Sequence, residues 1–177
     1  DIGDVANSVL QGKLSTLSDD EKKPVSWLSG TDTACQERAI KLFLQEPSVC
    51  QILCETKNAA LGTKELNNRV QKALTADNPK LTVMSDLFVG VHADTGFNLH
   101  DRVICNKNHW NLGLQNGSIG QIVEITAPAT RADPFYDDEL GQTIYPTIAR
   151  IAWDDGMTRD LTEKLLPDLS LAYAITI

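Results

Sequence analysis

The sequence predicts an α/β base interrupted by a small β-barrel. Three observations carry this expectation. Up to about residue 95, stretches with helical spacing alternate with short apolar runs, the texture of a parallel α/β unit. From about 97 to 165, short strand-like runs are separated by turn signals at the spacing of a small barrel. The segment Leu171–Ile177 (LAYAITI) then returns to the apolar texture of a buried strand. Residues 1–95 therefore form the base, 166–177 complete it, and 97–165 are the insertion.

The elements follow in order. Residues 4–14 read as a short helix, with Val5, Val9 and Leu10 at helical spacing and Gly12 near its end. Ser15–Pro24 is a polar loop and Val25–Leu28 a strand. Gly30 with Thr31 and Asp32 makes a turn and a helix cap. Cys35–Gln45 is amphipathic: Ala39, Ile40, Phe43 and Leu44 share a face, Glu37, Arg38 and Lys41 point outward, and Pro47 stops it. Cys50–Cys54 is a short buried strand. After the turn 57–62, Thr63 is placed to cap a helix to about Leu74, whose Leu66, Val70, Ala73 and Leu74 form one stripe. In the insertion, Arg102–Cys105 and Ile119–Ile125 are strands separated by a polar loop ending in Asn116-Gly117, a strong turn signal. Ala127–Gln142 is an acidic loop. Thr143–Trp153, the turn Asp154-Asp155-Gly156 and Met157–Leu161 form a hairpin. The strands at 51–54 and 172–177 are expected in one sheet, parallel, because a helix follows the first.

Composition narrows the function classes. Hydrophobic residues make up 42% and charged residues 23% of the 177, the balance of a chain that buries a core. No apolar run reaches the ~20 residues that span a bilayer, so no membrane partner is expected, and a cytoplasmic location is. The chain opens without Met and stops at a core strand, as expected of a piece of a longer protein. The formal charge of −8 argues against wholesale wrapping of nucleic acid. The acid is uneven, however. It gathers at Asp19-Asp20-Glu21, Asp137-Asp138-Glu139 and Asp154-Asp155, whereas Lys57, Lys64, Arg69, Lys72 and Lys80 outnumber Glu65 and Asp77 between 57 and 80. Cys35, Cys50, Cys54 and Cys105 lack a second ligand pair at zinc spacing and read as reduced core cysteines.

Catalytic constellations are missing. The sequence has no G-x-x-x-x-G-K-[ST] loop, no G-x-G-x-x-G and no G-x-S-x-G. His92, His100 and His109 have no i, i+4 pairing, so neither a catalytic nor a metal site is assigned.

Three segments together resemble the RecD-like branch of the superfamily-one DNA helicases (exodeoxyribonuclease V alpha subunit, TraA-like). Gln51–Asn58 (QILCETKN), Leu61-Gly62 and Glu65–Gln71 (ELNNRVQ) are similar to the family's fourth-motif region. Asp101–Asn106 (DRVICN), Trp110 and Leu112–Gly120 (LGLQNGSIG) resemble the opening of the SH3-like barrel inserted in the second motor domain. Leu169–Ile177 (LSLAYAITI) resembles the strand leading to the fifth motif, whose continuation is absent. The match covers roughly 48–126 and 161–177. It implies a partial RecA-like parallel α/β domain with an inserted SH3-like barrel, from an ATP-dependent DNA helicase of DNA repair or recombination. ATP and Mg are implied for the parent and no cofactor for this chain, which is expected to be inactive alone. Lys57 stands where many relatives place a nucleotide-proximal arginine.

The implied partner is single-stranded DNA, with other helicase or nuclease subunits and self-association through an exposed sheet edge as further expectations. Trp110 is the candidate for base stacking, Asn106, Lys107, Asn108 and Asn116 for phosphates or base edges, and Lys57, Lys64 and Asn67 for the continuing path. The alternative for Trp110 is a cap on the barrel. The alternative for the whole chain is a freestanding SH3-like protein-interaction module on an α/β base.

Overall fold

The computed structural model describes residues 2–13, 30–84, 92–127 and 135–176. The predicted loop Ser15–Pro24 and strand Val25–Leu28 lie outside them. α1 spans Ile2–Leu10, with Val9 and Leu10 exposed. α2 is Asp32–Gln45, and the Thr31 hydroxyl accepts from Ala34 N at 3.3 Å as the expected cap. The strand β1 is Ile52–Cys54, and α3 is Thr63–Leu74. Ile40 and Phe43 of α2 pack with Leu66 and Val70 of α3, and Tyr173 and Ala174 close this first core.

A second core belongs to a five-stranded antiparallel sheet. Its strands are β4 (Arg102–Cys105), β5 (Ile119–Ile125), β8 (Thr147–Trp153), β9 (Thr158–Thr162) and β10 (Leu169–Leu171), in the order β10-β4-β5-β8-β9. Val103, Ile122, Ile148, Ile151 and Leu161 are buried in it. The hairpin turn at 154–156 is as the sequence predicts, with Gly156 at φ 84°. β9 and β10 are the two edges and are not paired with each other among the described residues, so the sheet stays open rather than closing into the expected barrel.

Two strand pairs are not anticipated by the sequence. β2 (Lys80–Met84) pairs with β3 (His92–Asn98), and both feed the second core through Leu81 and Phe97. β3 reads HADTGFN, without apolar alternation, and its place is set by pairing and by Thr95 Oγ1 donating to Leu81 O at 2.7 Å. β6 (Phe135–Asp137) lies in the stretch expected as an acidic loop and pairs with β7 (Gln142–Ile144), which takes the start of the strand expected over Thr143–Trp153; that strand is divided into β7 and β8.

The terminal apolar run is two strands, not one. β10 pairs with β4, whereas β11 (Ala174–Thr176) pairs parallel with β1, Ile52 opposite Ala174. The expected parallel partnership of these segments is present, but parallel pairing among the described residues stops at two strands. Ala172 and Tyr173, both buried, carry the chain from one sheet to the other.

At this junction Asp101 is fully buried. Its Oδ2 accepts from Asn98 N at 2.7 Å and Gln71 Nε2 at 2.5 Å, and its Oδ1 from Thr75 Oγ1 at 2.5 Å and Tyr173 Oη at 2.8 Å. One carboxylate thus ties α3, β3 and the inter-sheet link together. Burial, and then the Asp101 charge beside it, pushes the Tyr173 hydroxyl well above its ordinary pKa, so it remains a donor.

Candidate nucleic-acid interface

A cleft of about 540 Å³ lies between the two cores. One wall is the start of α3 and the turn before it, with Lys57, Thr63, Lys64 and Asn68. The other is Asn106, Asn116, Gly117 and Ser170. Phe97, Ile104, Leu171 and Ile175 supply an apolar floor. No Asp or Glu lines the cleft, in a chain carrying 24 of them. Neither Lys57 nor Lys64 has an ion-pair partner among the described residues.

The turn before α3 is shaped by backbone. Thr63 is the first helical residue rather than the cap, a position taken by Gly62 with no side-chain bond. The first amides of the helix are satisfied by the turn itself: Thr63 N donates to Thr56 O at 3.1 Å and Lys64 N to Lys57 O at 3.2 Å. A β-carbon on Gly62 would stand 2.6 Å from Lys57 O. Gly62→Ala is therefore expected to cost about 1–3 kcal/mol by forcing the turn away from the helix, seen as a lowered Tm and a shifted Lys57 amide resonance.

The sequence candidates divide. Lys57, Lys64, Asn67, Asn106 and Asn116 come together at the cleft. The Asn67 amide is committed to the chain: Nδ2 donates to Leu171 O at 3.0 Å and Ala174 O at 2.8 Å, while Oδ1 accepts from Ala174 N at 2.8 Å. It holds the link between β10 and β11. Asn106 Nδ2 donates to Ser170 Oγ at 2.8 Å. Lys107, Asn108 and Trp110 lie outside the lining, on the turn that continues from Asn106. Asn108 Oδ1 accepts from Asn116 N at 2.8 Å and so braces that turn. Lys107 Nζ meets Asp168 Oδ1 at 2.5 Å, and His109 Nε2 lies 3.0 Å from Asp168 Oδ2. Hydrogen bonding and charge from Lys107, with the His109 ring adding to them, hold the Asp168 carboxyl below the usual range, so it stays ionised at neutral pH.

Trp110 opens a single 3-10 turn, Trp110–Leu112, and is 71% exposed. It does not fold back onto the sheet. Ser170, Thr176, Asn58 and Asn68 also line the cleft and were missed in the sequence. Asn68 had a signal in its place beside Asn67, but Ser170 and Thr176 enter through strands whose partners no local pattern reveals.

Among the described residues no group of three or more His, Cys, Asp or Glu could hold a metal, and no helix is long and apolar enough to cross a membrane. All four cysteines are free thiols.

No family model and no curated protein sequence matches the chain. Among solved structures, a double mutant of the Pif1 helicase from Bacteroides is 15% identical over 98% of this chain and 38% of its own, with a TM-score of 0.45. Unliganded Pif1 from Bacteroides sp is 17% identical over 71% of this chain and 41% of its own, with a TM-score of 0.38. Pif1 from Bacteroides in complex with ADP-AlF3 and ssDNA is 16% identical over 98% of this chain and 38% of its own, at 0.37. The chain spans less than half the length of each of these solved chains.

Proposed function

We propose that the chain is part of the second motor domain of a RecD-like superfamily-one DNA helicase, and that its cleft guides single-stranded DNA. The observation that carries this reading is the acid-free cleft, in which two lysines and a rim of Asn, Ser and Thr surround an apolar floor in a protein of charge −8. A phosphate backbone needs cations and hydrogen-bond donors along its track, and bases need flat apolar faces. Trp110, outside the lining and exposed on the turn that continues from Asn106, offers such a face. The same reading gives the parent protein ATP and Mg and a place beside other helicase or nuclease subunits.

Labelled single-stranded DNA titrated into the purified chain at low salt is expected to bind weakly and to lose affinity steeply as salt rises. Trp110→Ala is expected to weaken binding roughly fivefold or more, since one stacked base contributes ~1–3 kcal/mol. Equal affinity of the two folded proteins would remove Trp110 from the interface, and the absence of any salt-dependent binding would overturn the cleft assignment. ATP turnover, with or without DNA, is expected to be undetectable in a phosphate-release assay, because a motor needs a phosphate-cradling loop that the sequence lacks.

A further inference from the structure

Resting on the reading that Trp110 stacks bases, we infer that Asp168 is the positioning residue of that stacking platform. On one side of the Trp110 turn three contacts converge on one residue, beside the Asn106–Ser170 bond and a Cys105 Sγ bond to Lys107 O at 3.1 Å. Asp168 meets Lys107 and His109 with its two carboxylate oxygens, at 2.5 and 3.0 Å, and its carbonyl accepts from Asn106 N at 2.7 Å. These three partners are the residues four, three and one before Trp110. Asp168 is itself held in a 3-10 turn, Leu166–Asp168, where its N–H donates to Leu165 O at 3.0 Å. Leu165 is buried in the second core, so the anchor is fixed to the sheet.

The far side of the loop is closed separately. Asn116 N binds Asn108 Oδ1, Gly117 N donates to Cys105 O at 2.8 Å, and His109 pairs with Leu114. An indole so exposed has little packing of its own to fix it. Its orientation comes from the stem beneath: Leu112 and Leu114 seat the C-terminal side of the turn on the second core, and Asp168 fastens the N-terminal side. Holding the ring in place before DNA arrives lowers the ordering cost of binding.

The sign of the effect makes this testable. Removing a carboxylate near a DNA site, and releasing Lys107 from its ion pair, should strengthen binding if charge alone governs. A positioning role demands the opposite. In Asp168→Asn the affinity for single-stranded DNA is expected to fall about threefold or more, a part of the roughly fivefold or greater loss expected when the stacked base is removed outright. In the Asp168→Asn, Trp110→Ala double variant it should be no weaker than in Trp110→Ala alone, the non-additivity of two residues acting through one contact. With 5-fluorotryptophan in place, the fluorine resonance assigned to Trp110 should shift and change width in Asp168→Asn, while the buried Trp153 resonance stays put as evidence of a folded sheet. Unchanged or tighter binding in Asp168→Asn, with Trp110→Ala weakened, overturns the positioning role and leaves the DNA reading standing. No effect of Trp110→Ala removes Trp110 from the interface and the positioning role with it. An unmoved Trp110 resonance overturns the positioning role whatever the affinities.

Discussion

Asp101→Ala is expected to unfold the protein at ambient temperature or bring it close. The substitution removes the acceptor shared by Gln71, Thr75, Asn98 and Tyr173 in a fully buried site. Gln71 Nε2 keeps Gly96 O at 2.8 Å and Thr75 Oγ1 keeps Gln71 O at 3.2 Å, whereas Asn98 N and Tyr173 Oη lose the carboxylate that accepts from them. A buried donor without a partner costs about 1–3 kcal/mol, so the loss reaches the lower end of the ~5–15 kcal/mol that stabilises a typical domain. Asparagine should be much less damaging. The amide oxygen can take the Oδ2 place and keep the two N–H donors, Asn98 N and Gln71 Nε2. The NH2 group then faces two hydroxyls, which can turn: Thr75 Oγ1 already reaches Gln71 O at 3.2 Å, and Tyr173 Oη can accept. Urea denaturation of the two variants checks the order, and an Asn variant as unstable as the Ala variant would contradict it.

The other large effect is expected at Gly120. It sits in β5 between β4 and β8, and an added β-carbon would meet Ile151 Cγ2 at 2.7 Å, Ala152 O at 2.8 Å and Trp153 Cε3 at 3.0 Å. The Ala152 oxygen is backbone of a paired central strand and has no room to retreat. Gly120→Ala is expected to lose about 1–3 kcal/mol and Gly120→Val more. The near-ultraviolet circular dichroism of Trp153, buried against this site, should weaken in step with thermal stability.

The legible parts of the fold are those in which one face is apolar and its period is long enough to read. α2, α3, β4, β5 and the β8–β9 hairpin meet that condition; their sequence boundaries are close to the observed ones, except that β8 starts at Thr147 rather than Thr143. β3 does not, because His92, Ala93 and Asp94 are exposed and pairing with β2 holds it in place. The run Leu169–Thr176 is mostly apolar, and nothing in its pattern marks Ala172 and Tyr173 as the point where it leaves one sheet for the other. The site was legible in the same partial way. Lysines against a sparse acidic background, and asparagines beside a turn, are visible in the linear chain. That Asn67 and Asn108 spend their amides on backbone is visible only once the strands they brace are known.

The change of sheet at Ala172–Tyr173 also dictates an order of folding. Gln51 and Tyr173 are in contact, yet they are 122 positions apart. In an unfolded chain, closing a loop of that length carries a large entropic penalty before any contact repays it, and parallel pairing across it is slow. If the five-stranded sheet assembles first, β10 docks on β4 and β11 follows it directly, so the loop still to be closed runs only from Cys54 to Arg102. The search is shortened, and the contacts of Asp101 with Thr75 and Tyr173 help to close it. The parallel pair β1–β11, and with it the cleft, is therefore the late event of folding, and the antiparallel sheet is its template.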